Sequence, residues 1–386
     1  MAQKKGNPVV GGVIFMSLAI TAIWKNEHRY DYYKEAKKTT IVSSVDEAQN
    51  LPEDKLLSYT GPMNQALEIK GQYVEGFEGY LRVSRNAEIY CWERTKDDDG
   101  VKWSEGWHSY VQKNERNKEL KLKQKLRSKT FMPAILEVGD LTIDTKKIQF
   151  VDDTERIPPS ELTMRPKSAR FHFSVQDDYY YISAGGDLEN EAFGDERLSY
   201  RGRAIPAVAT YFGDMGDEHA IAHQVEVDQG MVSSIIGNSG ILHHLVAGDR
   251  ETALATVKAY LARLKNIVRL IALVVVSLGG AFLFSGLTRF LLFIPGIGYM
   301  LNQIAGWAGL LFGFIIGCLT IAISFLTSHP AILTIIALAV GYFVYYSVQN
   351  AKKKRLILKQ RLEDQLGYPP TDAQIQEMEY LSLIHI

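Results

Sequence analysis

The sequence predicts an α+β membrane protein, in which a strand-rich extracytoplasmic domain lies between one N-terminal and about three C-terminal transmembrane helices. Three observations predict it. Long apolar runs are confined to residues 9–24 and 267–349. Residues 26–265 carry most of the charge and most of the tyrosines, with alternating rather than helical patterning. A basic run, Lys352–Arg355, follows the last apolar stretch and marks that end as cytoplasmic. Averaging hides the division: 46% hydrophobic and 23% charged over 386 residues would suit an ordinary soluble protein of two or three domains.

Val9–Trp24 holds sixteen residues without a charge, flanked by Lys4, Lys5 and Lys25. That is near the lower length for a span. A signal peptide would need a small-residue cleavage site, which Ala-Ile-Trp-Lys-Asn-Glu does not supply, and Trp24 suits an interfacial anchor. A retained helix is expected. Leu270–Leu287, Ile304–Leu326 and Ala331–Val348 are each long enough to cross, and in lipid a long uncharged run satisfies its backbone only as a helix. Thr327-Ser-His-Pro330 reads as a tight helical turn. Phe290–Met300, broken by Pro295, Gly296 and Gly298, reads as an interfacial or shallow re-entrant piece.

Four crossings place both termini on one side. The expected organisation is a cytoplasmic tail over 1–8, a helix over 9–25, an extracytoplasmic domain over 26–266, a three-helix membrane region over 267–349 and a cytoplasmic tail over 350–386. Lys25, Arg29, Lys34, Lys37 and Lys38 after the first span, and Arg263, Lys265 and Arg269 before the second, oppose this orientation. Long domains follow the charge rule poorly.

Within the middle domain, residues 80–111 read as a hairpin or meander. Tyr90, Trp92 and Arg94 alternate with Ile89, Cys91 and Glu93, and Lys96-Asp-Asp-Asp-Gly100 supplies a polar turn. Strands are also expected at 170–175, 179–183, 197–200, 207–212 and 220–227. Asn114–Lys129, dense in charge, reads as an exposed segment, either a solvated helix or a mobile excursion. Asp249–Lys265 reads as an amphipathic helix with Asp249 as its N-cap, leading into the second span.

No residues assemble into convincing chemistry. His219 and His223 have the four-residue spacing of a zincin helix, but the glutamate after the first histidine is missing and the segment alternates like a strand. Four residues along a strand span roughly 13 Å. His243-His244 reads as a strand end. Asp97–Asp99 lacks the ligand pattern of a calcium loop, and Gly237-Asn-Ser-Gly240 lacks the spacing of a nucleophile elbow. No catalytic residue, cofactor or metal is expected. A net charge of −1 and the lack of a basic, aromatic-studded segment exclude a nucleic-acid partner. The two cysteines, Cys91 and Cys318, fall in different phases and are not expected to pair.

In the membrane region Gly309, Gly313 and Gly317 recur every four residues, and Ala305 extends the stripe by a turn. These four are the candidate helix-packing residues, serving either self-association or packing inside the chain's own bundle. No Asp, Glu, Lys or Arg lies in the middle of a span, which argues against ion-coupled transport.

Phe15–Arg29, Glu88–Glu93 with Trp107 and Tyr110, Gly194–Tyr200 and Ser239–Leu261, taken in order, resemble the transmembrane protein 43 family, also called LUMA. The one-plus-three helix layout is similar too. The resemblance implies a non-enzymatic membrane scaffold that self-associates and organises complexes. Eukaryotic members reside in the endoplasmic reticulum and inner nuclear membrane, with nuclear-envelope partners such as emerin and lamins. Bacterial relatives with the same layout, which would sit in the inner membrane, have no such envelope. The N-terminal tail here is shorter than in the family and the C-terminal tail continues to Ile386. The expected partners are therefore membrane lipids, further copies in a homo-oligomer and other membrane or envelope proteins, with an oligomeric ion channel or leak pathway as the alternative.

Overall fold

The computed structural model describes residues 7–52, 55–97, 100–151, 153–165, 171–227, 230–294, 297–366 and 369–371. Its α-helices are α1 (Pro8–Glu27), α2 (Tyr32–Lys38), α3 (Val45–Gln49), α4 (Glu115–Glu119), α5 (Met231–Ile235), α6 (Arg250–Leu287), α7 (Gly298–Ser328) and α8 (Pro330–Leu366). Two compact units form: one from residues 29–267, the other from those up to His28 together with those from Val268 onward.

The first unit is strand-rich. Its larger sheet runs in the order Thr40–Val42, Leu57–Pro62, Val208–Met215, Ala220–Ile221, Leu141–Asp144, Ile135–Val138, with His244–Ala247 also paired to Val208–Met215. The other large sheet runs Ser174–Gln176, Tyr179–Ile182, Glu196–Ala204, Tyr80–Asp97, Gly100–His108. The expected hairpin is present: Ile89 pairs with His108 and Asp97 with Gly100. Asp98 and Asp99 lie outside the described residues.

Alternation makes this second sheet two-faced. Val83, Ala87, Ile89 and Cys91 point into a core with Leu198 and Tyr200, whereas Glu88, Tyr90, Trp92 and Arg94 point outward. The core is not wholly apolar. Asp195 is fully buried, where its carboxylate accepts from the Tyr181 hydroxyl and from the amides of Ala184 and Ala192. Next to it Glu196 accepts from Lys125 N (2.8 Å) and Leu126 N (2.7 Å). Burial pushes the Glu196 carboxyl above its usual range, against the pull of those amides.

Three expectations need correction here. Asn114–Lys129 is neither a long solvated helix nor a detached excursion. Only α4 is helical, and the segment is stitched to the sheet by side-chain amides that act as backbone: Asn117 Oδ1 accepts from Trp92 N (2.9 Å), and its Nδ2 donates to Trp92 O (2.8 Å). Leu126 is fully buried. The expected strand 220–227 breaks after Ile221 and changes partner, since His223–Gln224 pairs with Ile241–Leu242 in a separate ribbon. The strand expected at 170–175 is shorter, Ser174–Gln176, and Arg170 lies outside the described residues.

The second unit holds α1, α7 and the part of α6 from Val268 onward, and these three helices are each long and apolar enough to cross a membrane. Asn7 caps α1 by accepting from Val9 N (3.1 Å), and Pro8 opens it, where a missing N–H costs nothing. The amphipathic helix expected at Asp249–Lys265 and the span expected at Leu270–Leu287 are one continuous helix, α6. It begins where Asp249 accepts from Thr252 N (2.9 Å). A short 3₁₀ turn, Arg289–Phe293, precedes α7, while Pro295 and Gly296 fall outside the described residues. The expected span Ala331–Val348 falls inside α8, whose 37 residues reach about 55 Å at ~1.5 Å each. That exceeds a hydrocarbon core of about 30 Å, so one helix carries both the apolar stretch and Lys352–Arg355.

These helices approach backbone to backbone. A β-carbon at Gly12 of α1 would lie 2.6 Å from Leu283 N and 2.7 Å from Gly279 O on α6. Farther along the same helices Ala19 and Ile23 of α1 form a buried cluster with Ala272 and Val276 of α6. Gly11, the neighbour of Gly12 in sequence, has open space around it. Gly12→Leu is accordingly expected to lower the thermal midpoint of the detergent-solubilised protein, at a cost of about 1–3 kcal/mol or more from overpacking. Gly11→Leu should leave that midpoint nearly unchanged.

Candidate functional site

The glycine stripe on α7 faces α6 of the same chain. A β-carbon at Gly309 would sit 2.3 Å from Gly280 O, one at Gly313 2.4 Å from Val276 O, and one at Gly317 2.7 Å from a Leu273 methyl. Ala305, a turn earlier, is half-buried. Phe284 and Phe312 close the contact, with ring centroids 5.3 Å apart. Gly279 and Gly280 thus turn adjacent sides of α6 to two different helices.

At one end of these helices lies an ion pair not foreseen from the sequence. Arg269 Nε donates to Glu27 Oε1 (2.6 Å) and its terminal nitrogen to Oε2 (2.7 Å), a bidentate fork. The Glu27 side chain is 2% exposed and that of Arg269 29%. The sequence signal was an acid just after one span and a base directly before another. Removing the arginine strands the buried Glu27 carboxylate, so Arg269→Gln is expected to cost roughly 2–4 kcal/mol. Glu27→Gln combined with Arg269→Gln should cost less than the sum of the two, as a double-mutant cycle of thermal unfolding in detergent would measure.

The histidines are dispersed. His219 Nδ1 meets the Thr142 hydroxyl (2.8 Å), while His223 Nδ1 lies 3.4 Å from Asp214. Among the described residues no group of three His, Cys, Asp or Glu side chains converges as a metal site. His243 and His244 do sit at a strand end, and both are buried. His243 bridges the Tyr211 hydroxyl (2.8 Å) and the Asp144 carbonyl (2.7 Å). Burial lowers the His243 pKa and pushes that of His244 down to about 3. The folded unit therefore binds fewer protons than the unfolded chain. Stability from this pair is fully present above the ordinary value of 6.5 and is lost as pH falls below it, by up to about 1.4 kcal/mol per pH unit for each group. His244→Leu should flatten the fall in denaturant midpoint between pH 7 and pH 5.

The most distinctive surface is the outer face of the hairpin sheet, where arginines and rings form a continuous ladder. Arg116 lies over Trp92 (4.3 Å) and Trp103 (4.4 Å). Trp92 stacks on Phe193 (4.8 Å), which meets Tyr90, and Tyr90 meets Trp107 (5.4 Å). Arg197 lies between Trp107 and Tyr179, 4.3 Å from each ring, and Arg156 covers Tyr179 at 4.5 Å. Each contact contributes about 0.5–1 kcal/mol at a partly exposed site. The alternation of Tyr90 and Trp92 was legible in the sequence. The arginines were not, because they come from α4 and from two other strands, Glu155–Ile157 and Glu196–Ala204.

A profile of the family described as "Transmembrane protein 43" matches residues 89–330, well over half of the chain. The chain belongs to the Transmembrane protein 43 family. The match takes in most of the hairpin, the ladder, α6 and α7, so the packing of α7 on α6 and the arginine–aromatic face fall within the family region, while α1 lies outside it. Comparison with curated proteins and with solved structures returns no match. With its apolar helices, this Transmembrane protein 43 family member is an integral membrane protein.

Proposed function

We propose that this protein is a non-enzymatic membrane scaffold that self-associates and organises other membrane or envelope proteins, with its strand-rich unit on the side away from the cytoplasm. The observation that carries this reading is the arginine–aromatic ladder. Trp, Tyr and Arg are the residue types that dominate binding energy at protein interfaces, and here they are held rigid by mutual stacking before any partner arrives. The basic run Lys352–Arg355 supports the orientation. Arg269, one of the basic residues opposing it, is neutralised by Glu27. Self-association falls to surfaces other than the α7 glycine stripe, which α6 occupies. A channel would have to run between copies, because α1, α6 and α7 touch backbone to backbone.

Proximity labelling in cells tests the reading by comparing the wild type with a Trp103→Ala, Arg116→Ala variant. The labelled set of membrane proteins is expected to shrink while membrane insertion is retained. An unchanged set, together with a monomeric mass by light scattering in nanodiscs, would overturn it.

A further inference from the structure

At the Tyr179 end of the ladder the outer face of the sheet holds a cavity of about 280 Å³. Arg156, Arg197 and Arg201 line it, together with the hydroxyls of Ser109, Ser128 and Ser199, while Glu88 supplies the one carboxylate in the lining. We propose that this cavity binds a tetrahedral oxyanion, the phosphoryl or sulfuryl group of a small molecule or a lipid headgroup.

Three observations lead there. First, Arg156 and Arg201 pair directly across neighbouring antiparallel strands. Residues so placed share a face at about 5 Å between β-carbons, where like charges repel. Such a pair is costly unless something negative lies between or above it. Asp178 meets Arg156 at 3.4 Å, but both side chains are well exposed, at 38% and 53%, so it screens weakly. Arg201 engages only neutral acceptors, the hydroxyl (3.2 Å) and carbonyl (2.8 Å) of Thr154, in its described hydrogen bonds.

Second, Arg197 is preorganised. Its guanidinium is fixed in plane between the Trp107 and Tyr179 rings, and Nε alone is committed, to Glu88 Oε2 at 2.7 Å. A guanidinium carries five N–H donors, so the remaining edge keeps the fork that suits a phosphoryl or sulfuryl oxygen pair. Third, the serines add neutral donors of the kind that complete an oxyanion shell, and Ser199 lies between Arg197 and Arg201 on the same strand face. Three cations against one carboxylate leave the lining positive. The volume admits a phosphate group with a small substituent, not a polymer.

Glu88 gives the proposal a sign that a merely structural arginine cluster would not have. An incoming oxyanion competes with Glu88 for Arg197, so removing the Glu88 charge should tighten binding.

The test is isothermal titration of the full chain in phosphatidylcholine nanodiscs with inorganic phosphate and inorganic sulfate, at ionic strength held constant with chloride. Saturable binding is expected, weakened about tenfold in Arg201→Gln and tightened in Glu88→Gln. Thermal stability without ligand should be unchanged or raised in Arg201→Gln, which distinguishes a ligand-binding arginine from one the fold needs. Nanodiscs containing phosphatidic acid separate the sources: suppressed titration there assigns the site to a lipid headgroup, and undiminished titration to a soluble phosphate or sulfate. Absence of saturable heat, or an equal Kd in Arg156→Gln, Arg201→Gln and the wild type, would overturn the proposal. The proposal does not depend on the scaffold reading.

Discussion

The membrane unit depends on two adjacent glycines in one helix. Gly279 admits α1 and Gly280 admits α7, each to within the distance at which a single added carbon would strike backbone. In lipid, where burying apolar surface gives little preference for one helix over another, such close contact supplies dispersion and carbonyl dipole interactions that longer side chains would forfeit. The glycines on α1 and α7 answer this pair rather than act alone. Because Gly279 and Gly280 are consecutive, they point about 100° apart around the helix. A triangular arrangement of α1, α6 and α7 follows from that angle.

In the strand-rich unit the organising principle is the separation of two faces by alternation. Inward residues of Tyr80–Asp97 are small or apolar except Arg85, which donates to Arg127 O and Gln72 Oε1, and the nearby buried carboxylates of Asp195 and Glu196 are satisfied by amides and a tyrosine hydroxyl. Outward residues of the same strand are spent on arginine–ring contacts. One strand thus holds the fold together on one side and presents a rigid, charged, aromatic surface on the other. A surface ordered in advance loses less conformational freedom on binding, which suits a scaffold and suits an anion cavity at its edge.

Much of this was legible in the sequence, and the remainder was hidden for identifiable reasons. Alternation at Ile89, Tyr90, Cys91 and Trp92 announced the hairpin because one face meets water and the other a core. Gly309, Gly313 and Gly317 announced a packing face by their period, but periodicity within one helix does not name its partner, and Gly279-Gly280 reads in isolation only as a weak point in an apolar run. The segment around Asn117 looked detached because its composition is polar; its amide replaces backbone hydrogen bonds, and no hydropathy pattern records that. Arg156 and Arg201 lie 45 residues apart in the chain, and only strand register brings them opposite each other.

The Glu27–Arg269 fork has a consequence for synthesis. Its partners are 242 residues apart in the chain. At roughly 5–20 residues per second, the first helix waits on the order of 10–50 s in the membrane before the arginine that neutralises its carboxylate is made. During that interval Gly12 also has no helix against it. The nascent chain therefore carries a half-finished contact through the whole translation of its strand-rich unit, and quality-control factors that read unpaired membrane-boundary charge have that long to examine it.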